Sequence, residues 1–268
     1  MMISEKLQVH LIETDMLFWF LLLWMLLMVE IGFRLGNYLV KKYRIQKADN
    51  SDTFLAAIFG ILALLLAFTF SGASDRFDQR RELIVKEVSA IGTAYQSVDL
   101  LSSREQPKVR EIFKTYLDSR IEIYQSQGEV PPQEFEVNSQ KHDAVGDRLW
   151  KEVVRAVENT EYPKKLVAAQ ILPQLSDMFT ASENQRLSIK FHPPIIIFQA
   201  LIILCMIGSL VAGYNLGIQN QRDWLLTLIF VVIITGAIYI ILSLEYPRMG
   251  KISLSNYEAE FISLRQSF

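Results

Sequence analysis

Residues 53–101 read TFLAAIFGILALLLAFTFSGASDRFDQRRELIVKEVSAIGTAYQSVDLL, an apolar run that turns charged without a break. Ala56, Gly60, Ala63 and Ala67 recur at spacings of three and four, which places them on one helical face where another helix could approach closely. Past the apolar half, Phe77, Ile84, Val88, Ile91, Tyr95 and Val98 continue a stripe at helical spacing. No proline interrupts the segment, and Gly72 and Gly92 are too isolated to stop a helix. The reading is one long helix, half in lipid and half in water, reaching roughly 75 Å at ~1.5 Å per residue. Such a helix suits a channel, a transporter or a membrane-anchored sensor, and suits a soluble enzyme poorly.

The whole chain agrees with a membrane reading. Its 268 residues are 51% hydrophobic, with a mean hydropathy of +0.22, too apolar for an ordinary soluble domain. A net charge of -2 leaves no basic excess to neutralise phosphates, so nucleic acid is not an expected partner. The single cysteine, Cys205, lies in an apolar run and excludes an intrachain disulfide or a cysteine-rich metal site. Residues 1–14 place Leu7 and Leu11 on one face and read as an amphipathic segment, either a surface helix or a frayed tail. They lack a basic start and a small-residue cleavage site, so the first apolar run is expected to stay as a span.

In chain order, residues 15–71 form a transmembrane hairpin of spans one and two. Glu30 and Arg34 lie within span one at i, i+4 and form an intramembrane pair. The alternative is that Arg34 snorkels outward and Glu30 only neutralises it. Residues 72–192 form an extramembrane helical domain whose first arm, a stalk, is the continuation of span two. Three further helices follow: one with Val109, Ile112, Phe113, Tyr116, Leu117, Ile121 and Tyr124; one from about Pro132 to Thr160 with Phe135, Val145, Leu149, Trp150, Val153 and Val157; and one after Pro163 with Leu166, Ile171, Leu172, Leu175, Met178 and Phe179. Pro173 predicts a kink in the last. Residues 193–244 hold spans three and four, and residues 245–268 form a C-terminal tail. The fold class is all-α and integral to the membrane, with four transmembrane helices and an extramembrane helical bundle. Both termini and the helical domain share one side. Lys41, Lys42, Arg44 and Lys47 lie in the short loop on the other side and favour that loop being cytoplasmic. The helical side carries the larger basic count near the span ends, which favours an inner (plasma) membrane protein with that side cytoplasmic.

The run LLLAFTFSGASDRFDQRRELIVKEVSAIGTAYQSVDLL is similar to the signature of the bacterial bestrophin-like membrane proteins, a family of unknown function. Phe68, Phe70, Ser71, Arg76, Arg80, Arg81, Glu82, Glu87 and Ala90 to Tyr95 carry the match. A second match follows span four, where Glu245, Pro247, Arg248 and Gly250 resemble the family's acidic-x-x-P-R-x-G-x-I ending, with the acidic residue here two before the proline. The resemblance implies kinship with bestrophins, which are oligomeric anion channels with a pore lined by the second span.

On that basis Phe68, Thr69, Phe70, Ser71 and Ser74 are pore-lining candidates. The hydroxyls could replace part of an ion's water shell, and the two rings could gate by dewetting. Ordinary solvation at a membrane boundary and lipid-facing rings explain the same residues. Arg76, Arg80 and Arg81 could form an electrostatic mouth that concentrates anions, or could pair with Asp75, Asp78 and Glu82. His10, His142 and His192 are scattered, and no H-E-x-x-H, phosphate-binding glycine loop or G-x-S-x-G occurs. No enzyme activity, cofactor or metal is therefore expected. The expected partners are the lipid bilayer, further copies of the chain in a homo-oligomer, and inorganic ions. The function read is an ion channel, anion-selective if the arginines face the axis, and the alternative is a non-conducting sensor or scaffold signalling through the long helix.

Overall fold

The computed structural model describes residues 2–43, 51–126, 132–161, 163–190, 192–246 and 255–268. The elements are α1 (Met2–Tyr43), α2 (Ser51–Gln96), α3 (Gln106–Ser126), α4 (Pro132–Glu158), α5 (Lys164–Lys190), α6 (Ile195–Gln219), α7 (Trp224–Glu245) and α8 (Ser255–Ser267), with a 3-10 turn at Ser97–Leu100. Among the described residues there is no strand, and the chain is all-α. Helix α2 is unbroken through Gly72 and Gly92, and α5 runs through Pro173. Among the described residues four helices are long and apolar enough to cross a membrane: Met16–Tyr43, the apolar part of Thr53–Leu100, Ile195–Gln219 and Trp224–Glu245. Any amphipathic face on residues 1–14 lies outside the described side chains.

The chain divides into two compact units, Met1–Phe77 with His192–Ile252, and Asp78–Phe191 with Ser253–Phe268. In the first, α1 lies along α6 and also touches α7. Lipid tails are as apolar as leucine, so burying leucine gives membrane helices little reason to associate, and close backbone approach takes its place. Two small-residue pairs supply that approach. A methyl added at Gly32 or Gly36 of α1 would overlap the carbonyl oxygens of Leu210 or Tyr214. One added at Gly213 or Gly217 of α6 would overlap those of Val29 or Phe33. Both helices therefore carry G-x-x-x-G, and each presses its glycines onto the other's backbone. Leu21, Met25, Val29, Leu201, Cys205, Val231 and Ile238 form the core beside this contact. The turn between α6 and α7 is closed by Asn220 in the left-handed region (φ 51) and by Asp223, whose carboxylate accepts from the Leu226 N–H at 3.0 Å.

Apolar stripes build the second unit. Ile84, Ile91, Tyr95 and Val98 are buried with Val109, Ile112, Phe113, Tyr116 and Leu117 of α3, Leu149, Val153 and Val157 of α4, and Ile171, Leu175 and Met178 of α5. Trp150 and Leu166, expected on inward faces, are 39% and 57% exposed. Residues of the expected tail form α8, which rests on α3. Its Phe261 is buried beside Tyr124 at 4.7 Å between ring centroids, Arg265 grips Asp118 at 2.6 and 3.0 Å, and Phe268 stacks on Tyr95 at 3.6 Å.

Replacing Gly213 with alanine drives a methyl into backbone that cannot rotate away. It is expected to destabilise the chain by roughly 1–3 kcal/mol or more, read as a lower unfolding midpoint in detergent. Gly236→Ala, where the added methyl meets nothing within 4 Å, is the control and should leave the midpoint unchanged.

Candidate functional site

Glu245 ends α7 with 0% exposure, and a carboxylate there needs a partner because burial strips its water. Arg76, on α2, supplies it: Nε and a terminal nitrogen lie 2.8 and 2.7 Å from Oε2, a charge-assisted contact stronger than a neutral one. Gly72 clears the way, since a methyl there would meet the guanidinium at 3.2 Å. His192 Nδ1 sits 3.1 Å from the other oxygen, Oε1, and its ring stacks on Tyr246 at 4.9 Å. Arg76 and Glu245 belong to the two separate stretches that carry the family resemblance, and they meet across 169 positions of sequence. Pro247, Arg248 and Gly250 of the second stretch lie outside the described residues.

The pore-lining candidates sit on the α2 span with little around them. Phe68 and Phe70 are 69% and 46% exposed. Ser71 is exposed, and Thr69 and Ser74 are half-buried. The Thr69 hydroxyl donates to the carbonyls of Leu65 and Leu66 at 2.8 and 3.0 Å, so its proton is occupied within the helix. Ala56, Gly60, Ala63 and Ala67 are likewise exposed, and their stripe continues at the same spacing through Phe70 and Ser74. The three arginines differ from one another. Arg76 is bound to Glu245, Arg80 is 4% exposed, and Arg81 pairs with Asp78 at 3.1 Å. Glu30 bonds Arg34 at 2.7 Å, and it also meets Arg222 of the α6–α7 turn at 3.3 Å. The Arg222 guanidinium lies 4.1 Å from the centre of the Phe33 ring. Spacing could find the Arg34 half of this arrangement but not the Arg222 half, which lies 192 positions away.

The second unit holds a buried polar network. Glu87 (0% exposed) and Arg120 (2% exposed) form a two-pronged pair at 2.6 and 3.0 Å. Tyr124 donates to Glu87 at 3.0 Å, and Arg120 also donates to Gln185 Oε1 at 3.1 Å and the Ser182 carbonyl at 3.4 Å. Burial alone would lower the Arg120 pKa, but the Glu87 carboxylate beside it raises it on balance. A readable signal existed for both residues. Glu87 stands on the stripe of Ile84 and Ile91, and Arg120 on that of Tyr116 and Leu117, so each is a charge on a buried face that demands a counter-charge.

Beside this network lies a cavity of about 560 Å³ between α3, α4 and α5. Tyr116, His142, Trp150 and Phe179 help line it, with His142 4.5 Å from Tyr116 between ring centres. Burial, then the Glu87 charge, pushes the Tyr116 phenol up to about 12, against an opposing pull from Arg120. Burial, reinforced by Arg120 and Arg186, lowers the His142 imidazole to about 3. Among the described residues no group of His, Cys, Asp and Glu is arranged to hold a metal ion.

His142 should make folding acid-sensitive. The unfolded chain takes up a proton near pH 6.5 while the folded unit refuses it down to about pH 3. The stability this group contributes is therefore full above pH 6.5 and is lost as pH falls, at up to about 1.4 kcal/mol per pH unit. Denaturant unfolding at pH 7 and pH 5 should differ by about 2 kcal/mol less in His142→Gln than in the native chain. Glu87→Gln, which leaves Arg120 buried without its charge partner, should cost roughly 3–5 kcal/mol at pH 7.

Comparison with known proteins adds a family and a fold. A family model described as the Bestrophin-like domain matches residues 23–258. No curated protein matches the sequence. A crystal structure of a bacterial bestrophin homologue from Klebsiella pneumoniae superposes with a TM-score of 0.57 at 14% identity, covering 92% of this chain and 98% of that one.

Proposed function

This chain belongs to the bestrophin-like family, and from that premise we propose that it is a homo-oligomeric membrane ion channel whose pore is lined by the second span. One observation carries the reading. Of the most apolar stretch of α2, only 6% is buried within the protomer, against 28%, 22% and 22% in the other three spans. Lipid can cover Phe54, Ile61 and Leu64, which are 57–70% exposed. The stripe of Ala56, Gly60, Ala63 and Ala67 offers lipid little area but gives a neighbouring helix a close approach. A ring of α2 helices about a symmetry axis accounts for both features. The face that carries the stripe continues through Phe70 and Ser74 with Ser71 beside it, so the axis would meet hydroxyls at its polar end and a ring of Phe70, or of Phe68 one flank round, as the constriction.

Anion selectivity is the finer part of the proposal. Arg76 and Arg81 are paired, so the mouth carries less field than three bare charges would give. A ring of copies still sums what remains. The larger basic count on the helical side supports a plasma-membrane protein with that side cytoplasmic. The sensor reading draws on α2 itself, which runs unbroken from the apolar stretch into the unit that holds the cavity.

Purified chain in liposomes should carry chloride in preference to potassium or sodium, and Arg81→Gln should lower that preference by roughly two-fold or more. Phe68→Ala should raise the flux if that ring constricts the path. Cation flux would keep the channel and discard the arginine mouth. An intact oligomer that passes no ion across voltages, pH values and calcium levels would sink the channel and leave the sensor.

A further inference from the structure

We propose that the cavity between α3, α4 and α5 is a binding site for a small organic cation, a primary ammonium carrying an aromatic or alkyl group. Its volume of about 560 Å³ falls in the ~300–1,000 Å³ range of small-molecule sites. The wall is a connected set of rings. Tyr116 meets Phe179 edge-on at 5.8 Å, and Phe179 lies 6.4 Å from Trp150. This explains why Trp150, expected in the core, is 39% exposed: its neighbour on one side is the opening. Ring faces attract cations through their quadrupole, and the attraction grows as water is removed.

The charges select the same ligand. Arg120 is spent on Glu87, and Arg186 is spent on Glu183 at 2.7 Å, with Asp143 a further 3.9 Å contact. Asp143 and Asp147, one turn apart on α4, leave the lining with a surplus of carboxylate. His142 decides between a cation and an anion on independent grounds. The Ser119 hydroxyl gives its one proton to the Tyr116 carbonyl at 2.7 Å. With that proton on the carbonyl, the hydroxyl 2.7 Å from His142 Nδ1 accepts, and we assign the imidazole proton to Nδ1. In the neutral ring Nε2 is then a lone pair, with no protein partner among the described residues, on a side chain that is 5% exposed and lines the cavity. An ammonium N–H satisfies that lone pair. A carboxylate or phosphate ligand would face it with nothing to donate.

The test is equilibrium binding to the full chain in nanodiscs, with empty nanodiscs setting the lipid background. The probes are 2-phenylethylammonium, its uncharged analogue propylbenzene and its anionic analogue 3-phenylpropanoate. The cation is expected to bind at least ten-fold more tightly than either analogue. Asp143→Asn combined with Asp147→Asn, both at exposed positions, should weaken it about ten-fold without altering the unfolding midpoint. Trp150→Ala should weaken it as well. Equal or tighter binding of 3-phenylpropanoate or propylbenzene would overturn the proposal. So would cation uptake that the paired aspartate variant leaves unchanged, or uptake no greater than in empty nanodiscs. None of these readouts depends on ion flux, so the site and the channel can fail separately.

Discussion

The contact between Arg76 and Glu245 governs how the membrane unit holds its second span. Helix α2 fully buries only Leu62 and Ala73 in that core, with Phe59, Leu65, Leu66 and Phe77 partly buried against it, and apolar contact of this kind is not directional. A fully buried carboxylate at the end of α7 supplies the missing constraint. Removing Glu245 from water costs several kcal/mol unless a cation is held against it in good geometry, and the Arg76 guanidinium folded across Gly72 is that cation. The rest of α2 is then free to present its small-residue stripe and its two phenylalanines outward. The same pairing takes Arg76 out of the pool of charges available to an ion, so one of the three arginines named for an anion mouth is also a structural tie.

The two units solve the same problem with different forces. In the membrane unit the driving force between helices comes from contact distance, and glycines at 32, 36, 213 and 217 bring α1 and α6 together backbone to backbone. In the other unit water makes burial of leucine, isoleucine and aromatic side chains favourable, and the helices meet along stripes. Glu87 and Arg120 are embedded in that apolar interior as a pair. Their cost is tolerated because Tyr124, Gln185 and the Ser182 carbonyl share the hydrogen bonds. The cavity beside them sits where three helices meet around an aromatic wall, and Gly146 keeps that wall open, since a methyl there would reach Phe179 at 3.3 Å.

Legibility followed the range of the interaction. The pair of Glu30 and Arg34 is local and readable from a four-residue spacing. Arg222, which completes it, could not be read, because nothing in a linear pattern says that a turn near residue 222 returns to α1. The glycine repeats on α1 and α6 were visible in principle as G-x-x-x-G. The small residues on α2 make a longer stripe, yet within one protomer they are exposed. Glu87 and Arg120 are charges on apolar stripes, a pattern that signals a partner for each but not which one. The tail of residues 245–268 reads as amphipathic and polar enough to leave the lipid. Phe261 and Phe268, one buried and one stacked on Tyr95, are too widely spaced to outweigh the charges around them until α3 is present as a surface.

The sequence by itself determined the all-α class, the four apolar spans, the unbroken α2 and the apolar stripes of the other unit. Each of these depends on periodicity and composition within a few turns of helix, where side-chain direction follows from the 3.6-residue repeat. Tertiary structure alone decided which arginine meets which carboxylate, which glycines touch, how bare the second span is left, and where a cavity opens. These depend on helices that are distant in the chain coming side by side, and a single helix carries no record of the neighbour that will cover it.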